Sequence, residues 1–347
     1  MAYTTIDDPS QHFDILTRSG VYDSSGTYDL TGLNFKPDFV WEKVRSVSGD
    51  HYLQNSSLTG KKMLKSNSSA AENTDGNIES YLSNGIQINR QYDWNSSRTL
   101  VDWFWKANGG TTSSNSDGDI TATVQANTTA GFSIMTWTSN NADNQTIGHD
   151  LGAAPEVFWV KIRDATGSWY CYFKEAGATH YLRLNSSDAR VDNVIWGDTH
   201  PTSSVITVDT NSLSGSTPTV VSYAFKQIKG YSKFGKFRGN ANADGAFIYT
   251  GFKPAWLMIK NIGASGTGYH WYIWDNKRDT INVMDNTLHA DENNAENTFD
   301  QDIDFVSNGF KLRGSGVGMN PNSHDAIYMA FAEHPFVSSK GVPVTAR

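Results

Sequence analysis

"GFKPAWLMIKNI", residues 251–262, starts on a glycine, an aromatic, a lysine and a proline, crosses an apolar run and closes on a lysine. Closely similar text stands at residues 32–46, "GLNFKPDFVWEKVRS", and at 148–163, "GHDLGAAPEVFWVKIR". In each copy a proline (Pro37, Pro155, Pro254) stands six residues before a lysine (Lys43, Lys161, Lys260). The runs between them, "DFVWE", "EVFWV" and "AWLMI", are short and apolar on both faces, which predicts strands buried within a sheet. The proline falls where a ladder N–H is not yet required.

Further markers recur around this segment in a fixed order. An opening strand reads "HFDILTRSG" (12–20), "GFSIMTWTSN" (131–140) and "FGKFRGN" (234–240). An aromatic strand follows the lysine: "DHYLQN", "SWYCYFK" and "YHWYIWDN". Then come a turn and an alternating strand, "SNGIQI" (83–88), "SSVITV" (203–208) and "SNGFKL" (307–312). A closing strand reads "TLVDWFWKA" (99–107), "TVVSYAFKQ" (219–227) and "AIYMAFAEH" (326–334). Its bulk keeps one phase of a period-two pattern: Val101/Trp103/Trp105, Val221/Tyr223/Phe225 and Ile327/Met329/Phe331. Side chains alternate across a strand, so each triple belongs to one core face.

The expected fold is all-β: three tandem antiparallel β-sandwich repeats of about 100 residues, each closing two sheets over one another. Repeat 1 covers 1–108, a polar Gly/Ser-rich linker covers 109–129, repeat 2 covers 130–230, and repeat 3 with a C-terminal tail covers 231–347. The linker predicts a hinge after repeat 1. Repeats 2 and 3 abut at "KGYSKFG", which predicts a tighter junction. Residues 285–305 read as irregular structure with room for one helical turn.

Composition fits this reading. Among 347 residues only 18% are charged while 12% are aromatic, and Asn, Ser, Thr and Gly abound, as pleated sheets with many turns require. A net charge of -8 without a basic block argues against nucleic-acid binding. No apolar run is long enough to predict a membrane span, and no secretory signal is expected at the start. The single cysteine, Cys171, reads as a small buried hydrophobe.

Catalytic signatures are absent: there is no His-Glu-x-x-His, Cys-x-x-Cys or Gly-x-Ser-x-Gly. A glycosidase needs a carboxylate pair, yet the repeats set Ser222 and Tyr328 where Asp102 stands, so Asp102 is expected to face solvent or an interface. Neither a catalytic residue nor an organic cofactor is expected. The acidic cluster Asp291, Glu292, Glu296, Asp300, Asp302 and Asp304 is the one place where calcium is considered, against the plainer reading of a solvated loop. The nine histidines show no ligand spacing in sequence and read as surface or turn residues. The repeated lysines are expected to lay their stems over apolar neighbours with the ammonium in water, so that Lys260→Ala leaves folding nearly intact. The remaining candidates are Trp169, Tyr172, Trp271 and Trp274, whose number exceeds what alternation would bury. They are the expected contacts for a glycan or a partner.

Segments 229–261, 127–137 and 146–164 and the closing "AFAEHPF" (330–336) resemble a family found in tailed bacteriophages, common among marine and cyanobacterial phages. The start "MAYTTIDDPSQHF" resembles that of its stand-alone members. The resemblance implies jelly-roll or concanavalin-like sandwiches and a virion structural protein of tail fibres or other appendages, made in the host cytoplasm. It implies assembly with other virion proteins and a homo-oligomer, a trimer above all. Glu42 departs from the pattern by standing at an otherwise apolar position, so a less buried face or an ion pair with Lys or Arg across an interface is expected there. Three functions follow as expectations: an appendage or capsid-decorating subunit, an adhesin reading host surface polysaccharide, and, least favoured, a depolymerase.

Overall fold

The three proline-led runs form central strands, Phe39–Val44, Val157–Ile162 and Phe252–Asn261, in three separate sheets. The structure is a computed structural model that describes residues 3–214, 216–298 and 301–343. In the first sheet the order is Phe13–Ser19, Thr99–Trp105, Phe39–Val44, His51–Asn55, Leu64–Lys65. In the third it is Ser232–Arg238, Asp325–Pro335, Phe252–Asn261, Tyr272–Asp275, Leu288–His289. The second contains the same series, Phe132–Thr138, Thr219–Phe225, Val157–Ile162, Tyr170–Phe173, His180–Arg183, extended at both edges to eight strands. All the pairings are antiparallel. Pro37 and Pro155 precede their strands, but Pro254 lies inside a longer one, where the register shifts on either side of it. A bulge is where a strand tolerates the missing N–H.

Both faces of each central strand are buried, against different partners. On the outer side, Val40 and Phe104 pack with Leu30, Ile86 and Ile88 of a small sheet formed by Thr27–Thr31, Gly85–Asn89 and Ile78–Leu82. Gln145–Gly148 and Val205–Val208 cover the second large sheet. Phe247–Tyr249, Gly309–Leu312 and Ile303–Val306 cover the third.

The inner faces share one core. The three closing-strand triples, with Phe39, Trp41, Trp159, Trp256 and Met258, belong to a single buried cluster drawn from all three large sheets. Trp41 meets Trp159 with ring centroids 5.9 Å apart and Trp256 at 6.5 Å, and Phe225 meets Phe331 at 6.1 Å. The arrangement of beads with a hinge is therefore replaced by a closed ring of sheets. The cause lies in the bulk: a narrow outer sheet covers one face of a large sheet, and the Trp/Tyr/Phe triples on the other face need an equally large apolar partner.

Residues 109–129, expected as a linker, hold strands Ser113–Asn115 and Ala122–Asn127, which extend the second sheet. Ile120, Ala122 and Val124 alternate inward and are buried. Surrounding Ser, Thr and Gly hid that period in the sequence. Gln125 Nε2 donates to the hydroxyls of Ser56 and Ser57 (3.0 and 2.7 Å), which ties this segment to the first sheet. Residues 285–298 contain no helix, and the one short α-helix among the described residues is Thr210–Ser214.

Candidate functional site

All four aromatic candidates are interior residues. Trp169, Tyr172, Trp271 and Trp274 are each at most 1% exposed, so no ring face is available to a sugar. Trp169 and Trp271 lie in the common core. Their indole N–H groups donate to the carbonyl of Lys65 in the first sheet (2.8 Å) and of Arg183 in the second (2.9 Å). Tyr172 stacks on Phe158, with its hydroxyl 2.6 Å from His200 Nδ1. Trp274 Nε1 donates to the Gln301 carbonyl at 3.0 Å. Alternation failed as a guide because a sheet covered on both faces has no outward phase.

His51 occupies in the first sheet the station that Trp169 and Trp271 occupy in the others. The main-chain N–H groups of these three residues donate to side-chain oxygens of Asn67 (3.0 Å), Asn185 (2.8 Å) and Asp291 (2.9 Å). Burial pushes the His51 imidazole well below its ordinary pKa, beside Lys43 and the main chain of His289.

The triplicated lysines are buried as well, each at 0% exposure, which corrects the expectation of ammonium groups in water. Lys43 Nζ donates to the carbonyls of Val44 (2.8 Å) and Asn293 (3.4 Å). Lys161 donates to Ile162 (2.8 Å) and Ser69 (3.3 Å), and Lys260 to Ser187 (2.9 Å) and Tyr269 (2.5 Å). The far acceptor always belongs to the neighbouring segment: first to third, second to first, third to second. Main-chain bonds repeat the same circuit, from Glu296 N to Arg45 O, Glu72 N to Arg163 O, and Arg190 N to Ile262 O. The lysines are clasps between segments. Lys260→Met is expected to lower stability by about 1–3 kcal/mol by leaving buried carbonyls without a donor, read as a reduced urea midpoint.

Burial also lowers all three lysines to about 8. Their unfolded value is about 10.4, so between these limits the unfolded chain binds more protons than the folded one. Stability then rises with pH, by up to about 1.4 kcal/mol per unit for each lysine. Above pH ~10 the buried tyrosines, including Tyr223 and Tyr231, oppose this because burial raises them. The melting temperature is expected to climb from pH 8 to a maximum near pH 10. A flat or falling profile over that range contradicts the buried clasps.

Glu42 and Asp102 are not at the surface either. Arg18 reaches Glu42 (2.5 Å), Asp93 (2.8 Å) and Asp102 (2.9 Å), with these four side chains between 0% and 6% exposed. Glu42 thus pairs with an arginine, but inside one segment and not across an interface. Burial raises Glu42 well above the usual carboxylate range and raises Asp102, each against the pull of Arg18. Glu42 and Asp102 are cross-strand partners, and neither Glu42 Oε1 nor Asp102 Oδ1 has a hydrogen-bond partner among the described residues. Paired carboxyls with raised pKa are a usual acid/base arrangement. Here the burial leaves a substrate no access.

Glu296 and Asp304 of the acidic run 291–304 are each engaged by arginines. Glu296 bonds Arg45 (2.7 Å) and Arg278 (2.8 Å), and Asp304 faces Arg313 at 3.5 Å. Asp300 lies outside the described residues. Asp291 and Glu292 instead join two histidines. His270 Nδ1 is 2.9 Å from Asp291 Oδ2, His270 Nε2 is 3.5 Å from Glu292 Oε1, and His289 Nδ1 is 3.1 Å from Glu292 Oε2. The imidazoles stack 4.6 Å apart and 5° from parallel. Burial lowers the His270 pKa, but the hydrogen bond to Asp291 with the charges of Asp291 and Glu292 together raise it above its ordinary value. An open cleft of about 310 Å³, lined by Asn67, Asp291, Glu292, Asn293 and Asn294, adjoins this group.

Exposed aromatics occur elsewhere. Phe247 and Tyr249, each about half exposed, border a cleft of about 590 Å³ with Glu156, Glu175, Lys233 and Lys236. Lys233 Nζ stands 5.4 Å from the Tyr249 ring centroid. Both rings flank buried Ile248 in a three-residue strand, a phase legible in "AFIYTGF". No helix among the described residues is long and apolar enough to cross a membrane. No curated protein and no solved structure matches the chain. A family model matches residues 8–335, so the chain belongs to the family described as Domain of unknown function (DUF7483).

Proposed function

We propose that the chain is a non-enzymatic architectural protein of a bacteriophage virion, built of three tandem jelly-roll or concanavalin-like sandwiches. Its place in this reading is a tail fibre or another appendage, acting in assembly and host attachment, with a capsid-decorating position as the alternative. The observation that carries it is the closed ring: three large sheets spend their largest aromatic faces on one another. The four aromatic candidates, Glu42 and Asp102 are all interior residues of that frame. The phage setting rests on the sequence resemblance. Partners are other virion proteins and further copies of the chain.

Mass spectrometry of purified particles, with light scattering of the isolated chain, tests the reading. Stoichiometric copies in the particle support it, and absence from the particle overturns it. Light scattering decides between a homotrimer and a single chain whose own three segments supply the threefold arrangement.

A second reading, attachment to host polysaccharide, draws on the cleft beside Phe247 and Tyr249. Exposed rings next to charged and amide groups suit a sugar's apolar face and hydroxyls. Tyr249→Ala with Phe247→Ala is expected to abolish adsorption to host cells without shifting the melting temperature. Unchanged adsorption removes this reading.

A further inference from the structure

We infer that His270, His289 and Glu292 form a binding site for one divalent transition-metal ion of the zinc class. One donor atom from each of these residues lies within 4.8 Å of the other two. Tetrahedral zinc with bonds of about 2.0–2.1 Å spaces its ligand atoms by about 3.3 Å, a closure that small side-chain rotations supply. Two imidazoles with one carboxylate suit zinc, nickel or copper, whereas calcium takes oxygen donors.

The surroundings are those of a metal site. Asp291 accepts from His270 Nδ1–H, which leaves the Nε2 lone pair for the ion. In the metal-free chain that lone pair accepts a long hydrogen bond from the Gly268 N–H at 3.4 Å, which a bound ion would displace. A carboxylate that orients a histidine in this way is the usual outer partner of a ligating imidazole. His289 Nε2 is buried and has no hydrogen-bond partner among the described residues. The adjoining cleft gives solvent access for a fourth ligand.

Internal comparison separates this group from the needs of the fold. Cross-strand register places Lys65 and Arg183 where His289 stands. Asp50 and Ser168 occupy the position of His270, and Ser68 and Ser186 that of Glu292. In the first segment a Lys65–Asp50 ion pair of 2.7 Å bridges these stations without an imidazole. Only the third segment gathers two histidines and a glutamate there. The site lies on the seam where the third segment closes on the first, beside the Gly49 N–H to Asn293 bond (2.7 Å) and the Ser66 hydroxyl to Ala290 bond (2.6 Å). A bound ion would clasp that seam.

The test uses the full chain, freed of metal by a chelator and then dialysed against zinc, cobalt or calcium. One zinc per chain is expected, with a raised melting temperature and, for cobalt, the visible spectrum of a tetrahedral site. His289→Arg installs the residue that the second segment carries and should abolish binding while the metal-free chain melts as before. Asp291→Asn keeps an acceptor for the Trp271 N–H, as Asn67 and Asn185 do for their counterparts. It should weaken zinc about 10–100-fold. No saturable zinc or cobalt binding, binding unchanged in His289→Arg, or calcium bound in preference to zinc would each overturn the site. None of these outcomes bears on the architectural reading.

Discussion

Replacing Arg18 by leucine is expected to destabilise the chain by about 3–5 kcal/mol at neutral pH, the usual cost of stripping a buried charge of its partner. Arg18 stands alone among three interior carboxylates, Glu42, Asp93 and Asp102. Without it their charges keep the Asn77 amide, which donates to Glu42 at 2.8 Å and to Asp93 at 3.3 Å, and the Val21 N–H, which donates to Asp93 at 2.8 Å. The pH dependence identifies the cause. Glu42 and Asp102 already sit above the usual carboxylate range in the folded chain. A carboxyl raised by folding contributes stability at low pH that is lost as pH rises through its folded value. Removing the guanidinium raises both further. The deficit of Arg18→Leu should therefore shrink as pH falls from 7 towards 5, measured by urea denaturation at each pH. A deficit that is absent at neutral pH, or that grows on acidification, contradicts this account.

Trp256→Ala is expected to cost about 3–5 kcal/mol, as large aromatic truncations in a core do. Its ring lies 6.5, 6.4, 5.8 and 5.9 Å from those of Trp41, Trp103, Trp105 and Phe331. Three of these four belong to another sheet, so the cavity opens between segments. The chain should still melt in one transition at a lower temperature, with fluorescence and far-ultraviolet dichroism coinciding. Independent sandwiches would behave otherwise: the third would melt early and leave a second transition at the original temperature. Calorimetry of the variant separates the two outcomes.

The strands were legible because their signal is local. A proline, a short doubly apolar run and a lysine, used three times with alternating neighbours, define central and closing strands in any context. What lies against a strand is not local. The triple Val101/Trp103/Trp105 announces a buried face, and nothing in it says that the cover comes from residues more than a hundred positions away. The lysines show the same limit. A lysine after an apolar run ordinarily reaches water; Lys43, Lys161 and Lys260 do not, because carbonyls of a neighbouring segment arrive first. Trp169 and Trp271 were misplaced for that reason too. The His270/His289 pair was invisible because its members stand nineteen positions apart, and only the hairpin register of Tyr272 with His289 brings them together.

The circuit of contacts also sets an order on synthesis. Trp103 Nε1 donates to Asp275 at 3.0 Å, and Arg45 pairs with Glu296 at 2.7 Å, so the first segment completes its contacts only with residues made much later. While the chain is still growing, the Trp41, Trp103 and Trp105 face waits without its final cover. Non-local pairing of this kind slows folding and leaves sticky intermediates. The last strand, Asp325–Pro335, pairs with both the opening and the central strands of its sheet, so nascent chains halted before it retain an open apolar wall. Such truncated products are candidates for chaperone capture or aggregation.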